Sequence, residues 1–433
     1  MCEKETSQEI FRRNVLNGVR EKIRAGVDVN KKDEYGNNIL LINLLSSAPS
    51  LLSEVLKILI EAGLDINSQN NKGETILIHK MKTYGVLEVN SAFYDYYDIY
   101  IRNKQEYFLD FFQSLINFGA DVNIADNNGH TPLTYCVTAI ESLRSSGIHH
   151  GGGIEARRCT FLKKLFFMIM EAGAIVDNNV YIKGCYGDET TLLNAVCTNK
   201  LGFDLNEKGD VTGCWFAAYD TASMVSALIK AGVDVNLKGR LGHTALHEAM
   251  HLDLEVVSIL LEAGADVNVK GYEGRTALNE FCIHHKDISK ISALVKAGTD
   301  LNSRDNKGRT ALMQVVMHSD HNTALKNVSF LIDAGADANI ADNNGRTALM
   351  MASTEEIQFA LIEAGADINA KDNDGKNVLV YACGGKIISY LSKTGLDVNA
   401  KDKKGKTALM YKNSEEAALA LIKAGADVNA RDN

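Results

Sequence analysis

His247-Glu248-Ala249-Met250-His251 has the spacing with the clearest chemical meaning in this chain. Histidines four apart share one face of a helix, and with a glutamate between them they form H-E-x-x-H, in which two imidazoles hold zinc and the carboxylate is a general base. Such a centre also needs a third ligand and an open position. Glu262 and Glu273 are the nearest downstream carboxylates. His284-His285 and His318/His321 add imidazoles with no carboxylate converging on them, so they read as solvated. No G-x-x-x-x-G-K-[ST], no G-x-S-x-G and no credible Cys/His dyad is present. Gly151-Gly152-Gly153 follows no apolar strand and is not a nucleotide loop.

The eight cysteines, Cys2, Cys136, Cys159, Cys185, Cys197, Cys214, Cys282 and Cys383, make no C-x-x-C pair and no cluster of the kind that frames zinc or disulfides. Cys136, Cys282 and Cys383 stand where related segments carry Ala or Val and read as small core hydrophobes. A reducing, cytoplasmic setting follows. The alternatives are a secreted effector, or a lipid anchor through Cys2 if a signal has been trimmed. The 433 residues carry 46 Lys+Arg and 55 Asp+Glu, so the net charge is 46 − 55 = −9. That balance argues against nucleic acid, whose phosphates demand a basic face. No apolar stretch approaches the roughly 18 residues that span a bilayer.

The elements that would position these side chains come from a repeat. Ala-Gly-Ala-Asp-Val-Asn, or a close variant, recurs with its glycine at 26, 63, 119, 173, 232, 264, 298, 335, 365, 395 and 425, giving gaps of 37, 56, 54, 59, 32, 34, 37, 30, 30 and 30. After a short polar stretch comes Gly-x-Thr-x-Leu, as at Gly73-Glu74-Thr75, Gly129-His130-Thr131, Gly242-His243-Thr244, Gly274-Arg275-Thr276, Gly308-Arg309-Thr310, Gly345-Arg346-Thr347 and Gly405-Lys406-Thr407, with weaker forms from Gly36, Asp188 and Gly375. The Thr is placed to cap a first helix by accepting from its free N–H groups. Pro132 supplies a helix-starting proline in one unit. A second helix follows, with apolar residues three and four apart, as Val257, Leu260 and Leu261 or Leu419, Leu421 and Ile422. The closure glycine ends it in the left-handed conformation. Asp-x-Asn and Asp-Asn-x-Gly are turn chemistry, side chains bonding nearby backbone.

These strings resemble the ankyrin repeat, a β-turn and two antiparallel helices in about 33 residues. The resemblance covers the chain from about Ser7 to Asn433. It implies an all-α solenoid of helix–turn–helix pairs with short β-turn or hairpin fingers, its repeats of the bacterial kind. The array is expected to be single, with about eleven repeats: a cap at 7–30 and repeats at 36–67, 73–123, 129–177, 188–236, 242–268, 274–302, 308–339, 345–369, 375–399 and 405–429. The cap is expected as a short polar helix pair over Gln8–Arg24. His247 falls inside the family's first-helix string Thr244-Ala245-Leu246-His247, where the histidine is structural, so no metal and no cofactor is expected.

Three gaps exceed the period by 20 residues or more, and the surplus falls between first and second helices, near 82–106, 139–158 and 198–219. Equivalent positions stack, so these insertions are expected side by side. The first is rich in tyrosine, with an apolar period at 93, 96, 97, 100, 107, 108, 111 and 115 that predicts a second helix extended at its N-terminal end. Two readings stay open for the aromatics: packing on their own repeats, or a recognition patch of Tyr94, Tyr96, Tyr97, Tyr100, His149, His150, Trp215, Phe216 and Tyr219, since Tyr and Trp dominate binding hot spots. The closure Ala172-Gly173-Ala174-Ile175-Val176-Asp177 lacks the usual Asp and Asn, so residues 174–188 are expected as the weakest junction. The tips Lys371-Asp372-Asn373-Asp374 and Lys401-Asp402-Lys403-Lys404 alternate in sign, which suits a polar rim.

The resemblance implies a non-catalytic scaffold, monomeric, that binds another protein through its concave face, the aromatic patch or both, as an effector or immunity-type adaptor. The alternative is a ligand-binding protein or enzyme with its site in the insertions of repeats 3–5. The family also implies that Asn268 or Asn429 could be hydroxylated in an animal host.

Overall fold

The computed structural model describes residues 7–38, 51–83, 98–145, 153–176, 181–183, 189–191, 221–239, 241–284, 287–318 and 321–433. They fall into two compact units, Met1–Arg240 and Leu241–Asn433.

In the first unit the helices are α1 (Ser7–Arg24), α2 (Leu52–Glu61), α3 (Ile76–Thr83), α4 (Asp98–Asn117), α5 (Pro132–Ser145), α6 (Gly153–Glu171) and α7 (Thr221–Lys230). Second helices pack in sequence, α1 on α2, α2 on α4, α4 on α6 and α6 on α7, while α3 lies on α5. Phe108, Phe112 and Leu115 of α4 and Leu165 and Phe166 of α6 are buried, and the Phe108 ring meets Phe161 edge-on at 5.6 Å. Strands β1 (Tyr181–Lys183) and β2 (Glu189–Thr191) pair antiparallel, and single antiparallel bridges Lys32–Asn38, Ala341–Thr347 and Lys371–Asn377 stand at the turns of other repeats.

The second unit runs α8 (Ala245–Glu248, continued as a 3-10 turn over Ala249–His251), α9 (Leu254–Glu262), α10 (Ala277–His284), α11 (Ile288–Lys296), α12 (Ala311–His318), α13 (His321–Asp333), α14 (Ala348–Met351), α15 (Glu355–Glu363), α16 (Val378–Tyr381) and α17 (Gly385–Lys393). A 3-10 turn at Ala408–Tyr411 and α18 (Glu415–Lys423) complete it. First helices α8, α10, α12, α14 and α16 form one layer; α9 packs on α11, and α13, α15, α17 and α18 pack in turn. Repeat length is adjusted in the first helix: where closures are 30 residues apart it shrinks to four residues, and the second helix keeps nine.

All eleven closure glycines have positive φ, between 80° and 102°, so each predicted helix stop is in place. The long repeats spend part of their surplus on helix. α4 has 20 residues and from residue 98 onward is extended at the N-terminal end as its apolar period predicts, and α6 has 19, a length that was not predicted; positions 93, 96 and 97 lie outside the described residues.

Four expectations change. The cap is a single helix, α1, because Gly18 keeps helical backbone and one interior glycine costs only about 1 kcal/mol. Leu419 and Ile422 face outward; α18 buries Ala417, Ala420 and Leu421 instead. Cys136 and Cys282 are fully buried, but Cys383 is exposed, because α16 ends two residues before it. The Thr hydroxyls cap weakly: Thr131, Thr276 and Thr310 accept at 3.4 Å, while the buried hydroxyls of Thr75, Thr347 and Thr407 have no hydrogen-bond partner among the described residues.

The asparagine that follows seven of the closures does something the turn reading does not contain. Asp397 Oδ1 accepts from Asn399 N, the expected local turn, but the Asn399 amide reaches into the next repeat, where Nδ2 donates to Gly425 O at 3.0 Å and Oδ1 accepts from Asp427 N at 2.8 Å. Asn30, Asn67, Asn123 and Asn339 make the same two-armed clasp on Gly63, Gly119, Gly173 and Gly365 and the N–H two residues on. The accepting arm recurs at Asn268 and Asn302. At the tips a second ladder runs from backbone N–H to the carbonyl of the preceding tip, as Asn127 to Lys72, Asn343 to Lys307, Asn373 to Asn344 and Lys403 to Asp374.

The clasp can be tested at two places. Asn399→Ala leaves two backbone groups without their partner and is expected to cost about 1–2 kcal/mol, whereas Asn429→Ala, whose amide reaches no other repeat among the described residues, is expected to cost less than about 0.5 kcal/mol. Denaturant melts of the two variants measure the difference, and equal losses would contradict the clasp. At the degenerate closure the Asn position is held by Asp177, which has no N–H to donate. Amides over 173–191 should therefore exchange about fivefold faster than those over 335–351, where Asn339 makes the clasp, the equivalent of one bond of about 1 kcal/mol; uniform protection would refute this.

Candidate protein-binding surface

Five of the turn tips among the described residues begin with a buried aspartate that folds inward, while Asn70 and Gly271 hold the equivalent place in two others. Asp126 Oδ1 accepts from the N–H groups of Asn128 and His130, and Asp305, Asp342, Asp372 and Asp402 repeat the pattern two and four residues on. These five aspartates are buried. Their second oxygen meets the side chain before the Thr or the one four residues after it: Arg309 and Gln314 on Asp305, Arg346 on Asp342, Tyr381 on Asp372 and Tyr411 on Asp402. The alternating charges therefore resolve differently at the two tips. Asp402 points inward while Lys401, Lys403 and Lys404 stay exposed, and around Asp372 the exposed residues are Lys371, Asn373 and Asp374.

In the first unit the same positions form a denser network. Lys82 Nζ donates to Glu74 Oε1 at 2.7 Å and to Asp126 Oδ2 at 3.3 Å, and Tyr135 OH donates to the same Asp126 oxygen at 2.7 Å. The Glu74 and Asp126 side chains are 5% and 1% exposed. Burial opposes ionisation of both, but hydrogen bonds from Lys82 and Asn70 to Glu74, and from Tyr135 and the turn N–H groups to Asp126, hold each below its ordinary carboxylate pKa. Burial and the Asp126 charge push the Tyr135 hydroxyl up to about 12. Burial works against the Lys82 ammonium, but Glu74 and Tyr135 outweigh it and raise its pKa.

His247 is buried and committed. Its Nδ1 accepts from Thr244 N–H at 3.2 Å and its Nε2 lies 3.2 Å from Arg275 O, so the hydrogen sits on Nε2 and the ring links two repeats. The helix also changes to 3-10 at Ala249, so His251 leaves the face that a continuous α-helix would share with His247. Among the described residues no three His, Cys, Asp or Glu side chains group as a metal site. His251 instead lies against His284, ring centroids 5.8 Å apart, and partial burial followed by the His284 charge lowers its pKa. His284 does meet a carboxylate, its Nε2 being 3.6 Å from Glu280 Oε2, which the solvated reading did not foresee. His318, exposed at the end of α12, has its pKa lowered by partial burial and then by Arg309 and Arg275.

Of the aromatic patch, Tyr94, Tyr96, Tyr97, His149, His150, Trp215, Phe216 and Tyr219 lie outside the described residues, and Tyr100 is placed only as a member of α4. The charged row of the residues before each Thr, namely Arg275, Arg309, Arg346, Lys376 and Lys406, was not singled out from sequence, although its regular place in Gly-x-Thr was visible there.

Lys82→Met leaves two buried carboxylates facing each other without their cation, and a loss of about 1–2 kcal/mol is expected at pH 7, discounted from the value for fully buried pairs because Lys82 is partly exposed. Because the folded pKa values of Glu74 and Asp126 lie below the unfolded ones, the stabilisation is complete above about pH 4–5 and is lost as pH falls through the folded values. Melts at pH 7 and pH 3 should show the difference between wild type and variant shrinking in acid. A difference that stays constant with pH would contradict this.

Among the described residues no helix is long and apolar enough to cross a membrane. A family model described as ankyrin repeats (3 copies) matches residues 182–271, 214–305, 280–372 and 353–432, together more than half of the chain. No curated protein matches it. Among solved structures, the ankyrin repeat domain of Bcl-3, described as a unique member of the IkappaB protein family, is similar at 26% identity over 46% of this chain and 93% of that chain, with a TM-score of 0.39. Ankyrin repeats generally mediate protein–protein interaction. With its closures, turns and paired helices in register along both units, this chain belongs to the ankyrin-repeat family.

Proposed function

We propose that the protein is a non-catalytic scaffold whose turn tips and first-helix ends hold an acidic segment of a partner protein, with the aromatic insertions as a second point of contact. The observation that carries this reading is the orientation of charge within the last tip. The aspartate is consumed internally by its own turn, and what remains outward on 401–404 is Lys401, Lys403 and Lys404. A chain of net charge −9 thus presents a local basic edge, which steers an acidic partner and sets on-rate more than lifetime. The buried histidine and the buried carboxylates are engaged in turn and inter-repeat bonds, which favours a binding role for this surface over chemistry at it.

Partner capture from the native source, followed by affinity measurement with the purified partner, tests the reading. Reversing Lys401, Lys403 and Lys404 together to Glu is expected to weaken binding about tenfold or more, mainly through a slower on-rate, and to flatten its salt dependence. Removing residues 84–97 is expected to weaken it separately. Circular dichroism establishes that each variant is folded. Binding unaffected by either change would remove the proposed surface, and turnover of a captured small molecule would replace the scaffold reading altogether.

A further inference from the structure

Lys412 breaks the pattern of the short repeats. At the position five after the Thr or its equivalent, the two preceding repeats carry Ala352 and Ala382, and the last carries lysine. The lysine turns back into the preceding repeat, where Nζ donates to Val380 O at 2.9 Å and Ala382 O at 2.7 Å. Cys383 converges on the same stretch: its Sγ lies 3.0 Å from Ala352 O and 3.7 Å from Tyr381 O. Amine and thiol therefore gather over the consecutive carbonyls of residues 380–382, where the four-residue helix α16 ends. No carboxylate lies within ion-pair distance of Lys412 among the described residues, although Glu355 and Glu356 act on Cys383 from α15.

The chemistry of this pair differs from that of a surface lysine. An unprotonated amine has two N–H bonds and one lone pair. Two carbonyls take the two N–H bonds and leave the lone pair free. Burial lowers the Lys412 amine to about 8, so a large share is unprotonated in mildly alkaline solution. Burial raises the Cys383 pKa, and the nearby Lys412 charge works in the other direction. Cys383 is exposed and Lys412 is half-buried, so a reagent meets the thiol first.

We propose that Cys383 and Lys412 form an acylation site, in which the thiol accepts an acyl group from an acyl thioester and passes it to the lysine. In the first step the Cys383 thiol loses its proton to water. The thiolate attacks the donor carbonyl, the donor C–S bond breaks and the donor thiol leaves. In the second step the Lys412 lone pair attacks the acyl carbon, the bond to Cys383 Sγ breaks, and the proton lost from nitrogen returns to the departing thiolate. The products are an amide on Lys412 and a free Cys383, with no oxidation or reduction. The reaction is independent of the partner-binding reading, and its outcome leaves that reading untouched. Its consequence is structural: the acylated nitrogen keeps one N–H, so one of the two inter-repeat bonds is lost.

The full-length protein incubated with acetyl-coenzyme A at pH 8 and mapped by peptide mass spectrometry tests the assignment. Lys412 should be acetylated at least about tenfold faster than the exposed Lys401, Lys403 and Lys404, as expected for intramolecular delivery. Cys383→Ser and Cys383→Ala should both slow acetylation of Lys412 about tenfold or more without changing those neighbours. Lys412→Arg should trap the acetyl group on Cys383 as a thioester removed by hydroxylamine. Thermal melts verify folding of each variant, and transient blocking of the thiol in wild type with a reducible disulfide reagent gives the same comparison without mutation. Acetylation of Lys412 at the rate of the exposed lysines, or at an unchanged rate once Cys383 is replaced or blocked, overturns the proposal.

Discussion

The two-armed asparagine clasp is the constraint on which the array depends. A pair of helices as short as four and nine residues cannot bury enough apolar surface to be stable alone, so each junction must supply what the repeat lacks. Burial of residues such as Ile357, Leu361, Ile387, Ile388 and Leu391 supplies most of it, but apolar contact has no direction and tolerates sliding. An amide that donates to one carbonyl and accepts from an N–H two residues on does not tolerate sliding. Asn339 on Gly365 and Asp367, and Asn399 on Gly425 and Asp427, fix the register to one residue.

The clasp explains why the closure glycine is placed as it is. Its positive φ turns the carbonyl out of the helix and toward the preceding repeat. A side-chain carbon added at Gly365 would meet open space, so the requirement there lies in the backbone conformation, whereas at the tip glycine Gly345 an added carbon would strike the Asn373 side chain. Two kinds of glycine therefore serve two ladders. The turn aspartates complete the arrangement by saturating the tip N–H groups from within, which frees the outer tip atoms to meet their neighbours. At the tip of residues 401–404 the same inward rotation takes the acidic charge out of the rim and leaves the lysines at its surface.

Much of this was legible in the sequence. Glycine spacing identified the stops of the second helices, Pro132 marked the start of α5, and the apolar period through 108, 111 and 115 identified an extended α4. What the sequence concealed has a common physical form, in that the deciding partner is remote. Asn399 sits beside Asp397 in a string that reads as a local turn, yet its amide bonds lie in another repeat. Cys383 occupies a core position by alignment, but the four-residue helix before it ends too early to carry the thiol inward. Leu419 and Ile422 fit the apolar period of α18 as well as Leu421 does, and only the placement of a neighbouring helix decides which are covered. The tyrosines and the tryptophan of the insertions, Tyr94 to Tyr97 and Trp215 to Tyr219, were legible as a composition change, and the described residues do not place them.

The repeat keeps phase although its length does not, and the clasp accounts for both. The sequence separation between the asparagine and the N–H it accepts from is 28 residues at Asn339 and Asn399, 32 at Asn268, 35 at Asn30 and Asn302, 52 at Asn123 and 54 at Asn67. Over that range the bond stays between 2.7 and 2.9 Å. Closure and tip are thus held to their neighbours at fixed geometry, and any change in length must fall between them. Shortening takes residues from the first helix, as α14 and α16 show. Lengthening adds turns to α4, α5 and α6, and the remaining residues fall in sequence between the two helices. A repeat built on this bond accepts insertions there without disturbing its junctions, as the bonds of Asn67 and Asn123 across the first two long segments show.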